Sequence, residues 1–242
     1  MRVFSLVVSA FFFSLLLLLA SPPLTSLKAQ AVGGGVGTKE NLDLPFDALG
    51  QAEDEEDAPE IVTFYGQQLE ADGFFYVIDR SSTMQDRGEL NIARREVVRN
   101  ISEFSDRVQF GVVFFATDVV KFPASGAPAD ASPGMKQSGI NFVQSTPGSS
   151  GTCCQKAISE IFRMANQATS KRKVIVYLSD GGGTCGGDEA GYLKQTLALA
   201  TSQNYQRIPI NTIGVLDMGQ FQEAFMKQLA SSNGGTFTRI TR

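Results

Sequence analysis

The chain has 242 residues and a formal net charge of −4, with 43% hydrophobic and 19% charged residues. This composition supplies a full core and excludes both an acidic disordered tail and a nucleic-acid binder recruited by net charge, and the length suits one domain with appendages. Histidine is absent, which removes Ser-His-Asp and Cys-His catalysis, imidazole-held zinc and histidine pH sensing, so any bound metal must be held by oxygen or sulfur.

Arg2 precedes an apolar stretch from Val3 to Ala20 broken only by Ser5, Ser9 and Ser14, and Pro22, Pro23 and the small-residue pattern Ala29-Gln30-Ala31 follow. A positive start, an apolar middle and an Ala-x-Ala exit predict an export signal over residues 1–31, cleaved after Ala31. The run is long enough for a retained N-terminal membrane tether as the alternative. Either way the folded part is expected outside the cytoplasm: secreted, periplasmic or anchored. Residues 32–60 carry one lysine, Lys39, against nine carboxylates, including Glu53-Asp54-Glu55-Glu56-Asp57, and open on Gly33, Gly34, Gly35 and Gly37. Without apolar periodicity, and without the spaced loop that calcium sites need, this segment reads as an acidic flexible linker. Residues 61–242 then form one domain with 18 basic and 16 acidic side chains.

Phe74-Phe75-Tyr76-Val77-Ile78 is a buried strand ending at the polar Asp79-Arg80-Ser81-Ser82-Thr83. Leu90, Ala93, Val97, Ile101 and Phe104 recur at helical spacing. Residues 108–115 and 119–122 predict two strands joined tightly at Thr117-Asp118, the second at a sheet edge. Residues 123–151 are rich in Pro, Gly, Ser and Ala, with a weak apolar patch at Ile140, Phe142 and Val143, and predict a long surface loop with one short helix. Ala157, Ile158, Ile161, Phe162, Ala165 and Ala168 restore a helix, and Lys173 to Ser179 is a second near-continuous strand, ending at Asp180. A helix over 192–202, a strand over 208–215, a helix over 221–231 and a strand over 235–240 complete the alternation.

Strands alternating with helices imply an α/β fold: a doubly wound, mainly parallel six-stranded sheet with one antiparallel edge strand and helices on both faces. Sites in such sheets lie at the carboxyl ends of the strands, and two of the most apolar strands deliver Asp79 and Asp180 to that edge. Asp79-x-Ser81-x-Thr83 adds two hydroxyls, and Thr152, at the opening of the helix near Cys153, adds a third. All five are hard oxygen donors of the kind Mg2+ or Mn2+ prefers. The competing reading is that the three hydroxyls only cap helices and satisfy loop backbone. Arg80, in an exposed loop, is expected to be solvated, and the glycines at 181–183 and 186–187 make the adjacent loop either a recognition element or simply a flexible one.

The stretches FYVIDRSSTM (75–84), GTCCQKAI (151–158), VIVYLSDG (174–181) and LASSNGGTF (229–237) resemble, in order and spacing, the von Willebrand factor type A domain. Its metal-ion-dependent adhesion site is built from Asp-x-Ser-x-Ser, a distant Thr and a distant Asp followed by Gly. The resemblance implies that Ser81, Thr83 and Thr152 bind Mg2+ or Mn2+ through hydroxyls, and that Asp79 and Asp180 act mainly through water or by orienting those hydroxyls. Thr83 stands where serine is usual and Ser82 where glycine is common, departures that bear on affinity. It implies a non-enzymatic module in which a protein partner's Asp or Glu completes the ion's shell. Two other readings compete with it: a hydrolase or phosphotransfer enzyme using Asp79 as nucleophile, and a metal-free scaffold of the same fold. No phosphate-cradling or dinucleotide-binding glycine motif follows any strand, so no nucleotide cofactor is expected.

Cys153, Cys154 and Cys185 gather at the same rim if the fold is right. In an exported chain a disulfide is the default, Cys185 pairing with Cys153 or Cys154; a vicinal bond and a three-thiolate zinc site are the alternatives.

Overall fold

The computed structural model describes residues 58–183, 185–215 and 218–240. The expected export signal and the linker up to residue 57 lie outside the described residues. Among the described residues no helix is long and apolar enough to cross a membrane.

No element is predicted before residue 73, yet the described residues open with a hairpin: β1 (Glu60–Phe64) pairs antiparallel with β2 (Gln67–Ala71). Val62, Phe64, Leu69 and Ala71 are buried and alternate with exposed or half-buried residues, the period-2 signature of a strand with one covered face. Tyr65 and Gly66 turn the chain with φ of 49° and 80°, the left-handed pair that a two-residue hairpin loop demands.

The main sheet is built from β3 (Gly73–Asp79), β4 (Gln109–Phe115), β5 (Val119–Phe122), β7 (Lys173–Ser179), β8 (Ile210–Val215) and β9 (Phe237–Ile240), in the order β5-β4-β3-β7-β8-β9. Every pairing along that path is parallel except β4 with β5. A seventh strand, β6 (Ala129–Asp130), adds a second, two-residue antiparallel pairing on β4. The sheet order jumps from β4 through β3 to β7, so the winding reverses beside β3, the place where open parallel sheets bind ligands. All seven residues of β3 are buried. Phe74, Tyr76 and Ile78 enter the core beneath the β1–β2 hairpin and α2 (Glu89–Glu103); Phe75 and Val77 enter the opposite core with α4 (Cys154–Gln167), α5 (Glu189–Gln203) and α6 (Gln220–Ser231). Helices on both faces explain why these strands read as continuous apolar runs rather than alternating ones.

The loop with one short helix expected over 123–151 is more ordered than that: the helix, α3, runs for 13 residues over Pro133–Ser145 and includes the patch at Ile140, Phe142 and Val143. Pro133 occupies its first turn, where a missing N–H costs nothing. Its buried stripe is unusual in using Gly139 together with Val143. A Cβ on Gly139 would lie 2.9 Å from Phe110 and 3.2 Å from Phe122, so aromatic rings from β4 and β5 sit directly on the helix backbone. A glycine in place of an apolar residue is what hid the helical period. Gly139→Ala should destabilise the domain by about 1–3 kcal/mol through overpacking, against the propensity gain expected at an exposed helical glycine, as read by urea unfolding.

Candidate metal centre

β3 ends at Asp79, which is wholly buried. One carboxylate oxygen accepts from the Ser81 backbone N–H at 2.8 Å, and the other accepts from the Ser179 hydroxyl at 2.7 Å. Burial, and next the charge of Asp180, push its carboxyl up to about 7, while the hydrogen bonds from Ser179 and Ser81 work the other way. With both oxygens engaged and no solvent access, Asp79 is positioned as an organiser of the loop, not as a nucleophile for an incoming phosphate or acyl group.

Ser81 occupies the N-cap position of the short helix α1 (Ser82–Asp86), yet its side chain makes no capping bond. Its hydroxyl lies 3.1 Å from that of Thr83, and the Thr83 hydroxyl donates to Asp180 at 2.8 Å. This answers the capping alternative for Ser81. Hydroxyls from β3's loop are strung toward a carboxylate at the end of β7 instead of back onto their own helix. Ligand oxygens adjacent on a six-coordinate ion of Mg2+ size lie about 3 Å apart, a spacing close to both separations. Thr83 is exposed, Ser81 and Thr152 are buried, and Asp180 is half-buried at the rim.

Thr152 is brought to the same edge by backbone pairing. The Cys153 N–H donates to the carbonyl of Ala116, just past β4, and the Thr117 N–H donates to that of Ser150, both at 2.9 Å or less. Since Phe115 is the register partner of Asp79, the Thr152 loop lies alongside the β3 loop. α4 starts at Cys154, with Cys153 as N-cap and no side-chain cap. All five residues expected to form the site therefore lie at the carboxyl-end edge of the sheet: Asp79 closes β3, Ser81 and Thr83 follow it into α1, Thr152 lies on the loop beside the end of β4, and Asp180 follows β7.

Two residues escaped the sequence reading. Ser179 bridges Asp79 to the Gly181 N–H, which donates to its hydroxyl at 3.0 Å; a hydroxyl closing an otherwise apolar strand is the signal that marks it. Arg80 is corrected from solvated to buried, with 4% exposure, its guanidinium ion-paired to Asp118 and donating to the Pro147 carbonyl. Its guanidinium is thus engaged by Asp118 and Pro147 at the neighbouring loops. Gly181 must be glycine: its φ is +84°, and a Cβ would come within 2.9–3.0 Å of Gln222 side-chain and backbone atoms.

The cysteine question resolves to a Cys153–Cys185 disulfide, with Cα atoms 5.3 Å apart, and a buried free Cys154. That pairing consumes two of the three thiols and removes the zinc alternative. Among the described residues no group of three or more Cys, Asp or Glu side chains is arranged to hold a metal; the candidate centre depends on its hydroxyls. Two carboxylates, three hydroxyls and no soft ligand form a donor set suited to Mg2+ or Mn2+.

The model of the von Willebrand factor type A domain matches residues 75–242. The chain belongs to that family. Among curated proteins, human inter-alpha-trypsin inhibitor heavy chain H4 is 24% identical over 173 residues, covering 68% of this chain and 18% of the human protein. Among solved structures, a von Willebrand factor type A protein from Catenulispora acidiphila superposes with a TM-score of 0.62 at 18% identity, covering 72% of this chain and 40% of that one. The pilus adhesin SpaC from Lactobacillus rhamnosus GG, in an open conformation, superposes with a TM-score of 0.56 at 15% identity, over 73% and 28% of the two chains. This von Willebrand A chain thus spans well under half the length of each of these three proteins. The β1–β2 hairpin precedes the matched residues; it joins the family fold by packing on α2, where the Asn100 amide donates to the Thr63 carbonyl at 3.0 Å.

Proposed function

We propose that the chain is an exported, non-enzymatic protein-binding module that uses Mg2+ or Mn2+ to capture an Asp or Glu side chain of a protein partner. The observation that carries this reading is the oxygen relay Ser81–Thr83–Asp180, three side chains from two separate loops directed at one another on the rim while Ser81 forgoes its cap. A bound dication would supply a Lewis-acidic corner for an outside carboxylate. Ser81, Thr83 and Thr152 would hold it through neutral hydroxyls, which leave much of its charge unquenched; Asp79 and Asp180 would orient those hydroxyls and offset the charge. The reading gains support from the adhesive role named for SpaC, and the apolar amino-terminal stretch supports export. Hydrolysis or phosphotransfer finds no support in a carboxylate as enclosed as Asp79.

The test is capture of partners from a surface or exported fraction by immobilised full-length chain, in Mg2+ and in chelator, with wild type and Thr152→Ala. Partners should be retained only by wild type and only with the metal, and an Asp- or Glu-containing peptide should compete while its Asn/Gln counterpart does not. Equal retention in chelator would support a metal-free scaffold instead.

A further inference from the structure

We propose that Arg80 is a positioning residue that locks the Asp79–Thr83 loop to the Thr152 loop, so that the donors of the candidate metal centre are held in place before any ion arrives. This rests on the metal reading above and adds a residue outside the donor set.

Arg80 is joined to three segments at once. Its backbone N–H donates to the Phe115 carbonyl at 2.8 Å, and its own carbonyl accepts from the Ser149 N–H at 2.8 Å. One guanidinium nitrogen donates to the Pro147 carbonyl at 2.9 Å, and the other pairs with Asp118 in the β4–β5 turn. The side chain is 5% exposed and that of Asp118 is 61% exposed. A charge this enclosed is expensive to place unless its partners hold it, and the exposed end of the pair lets Asp118 keep part of its hydration. The consequence is geometric. Residues 146–152 run from α3 to Thr152 without regular structure. Their path is pinned by Arg94, which donates to the Thr146 carbonyl, by Arg80 at Pro147 and Ser149, and by the pairing of Thr117 with Ser150. Remove the Arg80 side chain and the stretch between Thr146 and Ser150 loses the side-chain anchor that couples it to the loop bearing Ser81 and Thr83. A planar fork is needed for the two directions; a lysine can satisfy the Pro147 carbonyl or Asp118 with good geometry, not both.

The test uses the full chain as wild type, Arg80→Ala, Arg80→Lys, Asp118→Asn, and Val97→Ala as a control destabilised in α2, away from the rim. Two quantities are measured at a temperature where each variant keeps its near-ultraviolet circular dichroism: the Kd for Mn2+ by electron paramagnetic resonance titration, and amide exchange of peptides spanning 146–153 in chelator. Arg80→Ala should weaken Mn2+ by about ten- to a hundredfold, the range for residues that orient ligands, and should speed exchange across 146–153 without metal. Arg80→Lys should fall between it and wild type, Asp118→Asn should shift Kd a few-fold (on the order of threefold, for loss of one exposed partner), and Val97→Ala should leave both readouts as in wild type. If Arg80→Ala does not fold, Arg80→Lys and Asp118→Asn decide. Wild-type Kd and exchange in the folded Arg80 and Asp118 variants would overturn the positioning role and leave the metal reading standing. Absence of saturable Mn2+ binding by wild type would overturn the metal reading and, with it, the role of Arg80 toward an ion.

Discussion

Asp79→Asn should stabilise the metal-free chain at pH 8 and at the same time reduce its stabilisation by Mn2+ to less than about half. Asp79 is wholly buried, and burial, followed by the neighbouring Asp180, raises its carboxyl from 3.8 to about 7. A carboxyl raised in the folded state favours the fold in its protonated form. Its ionisation therefore costs nothing below about pH 4, costs more as pH climbs, and costs its full amount above about pH 7, on the order of 4 kcal/mol. Asparagine removes that charge while keeping an oxygen for the Ser81 N–H and placing an amide toward the Ser179 hydroxyl, which has acceptor capacity to receive it. In chelator, wild-type stability should fall between pH 4 and 8, and the variant should fall less. With Mn2+ at a hundred times the wild-type Kd, wild type should gain about 2.7 kcal/mol and the variant, weakened about ten- to hundredfold by loss of the charge, only about 0.4–1.4 kcal/mol. Urea unfolding at both pH values, with metal and with chelator, reads all four quantities. A variant that is less stable than wild type in chelator at pH 8, or that gains as much from Mn2+ as wild type does, would contradict this.

Much of this architecture is legible in the sequence because the strands of a doubly covered sheet must be apolar on both sides. β3 and β7 announce themselves as unbroken runs, and each ends where a carboxylate begins. The helices α2 and α4 show their period because each presents a broad stripe of aliphatic residues to the sheet. α3 does not, since aromatic rings from β4 and β5 press onto Gly139 and the apolar partner of the contact belongs to the strands. The β1–β2 hairpin is short and polar on its outer face, so its alternation is carried by only four buried side chains. At the rim, the five proposed oxygen donors stand out by residue type and order. Arg80 does not: a charged residue in a polar loop looks solvated until the fold shows that Pro147 and Asp118 converge on it, and both are remote in sequence. Ser179 is hidden for the opposite reason: it is the last residue of an apolar strand, and nothing in the strand pattern shows that its hydroxyl ties Asp79 to Gly181.

Removing the disulfide by Cys153→Ser with Cys185→Ser should cost about 3–4 kcal/mol of stability, while the Mn2+ affinity changes little. The bond closes a loop with a sequence separation of 32, and the lost constraint on the unfolded chain gives that magnitude. Its local effect is confined. Cys153 is also held by its own N–H on the Ala116 carbonyl, and the first turn of α4 is held by the Gln155 N–H on the Tyr192 hydroxyl at 3.1 Å. Thr152 therefore keeps its anchor. Asp180 keeps its bonds from the Gly182 N–H and the Thr83 hydroxyl. What loosens is the stretch 185–187, where Cys185 carries the disulfide and Gly186 and Gly187 have φ of +106° and +75°. Because that segment borders the candidate metal centre, partner capture should weaken in the double variant even as the ion is retained. Cys154 provides an internal check, since burial pushes its thiol up to about 11 and the Thr196 hydroxyl lies 3.8 Å away. A thiol that stays protonated and enclosed does not react. The folded wild type should show no titratable thiol, one after unfolding in denaturant, and two accessible thiols after mild reduction of the folded chain. Labelling of Cys154 in the native protein, or a double variant as stable as wild type, would show that the helix start is not held in the way described.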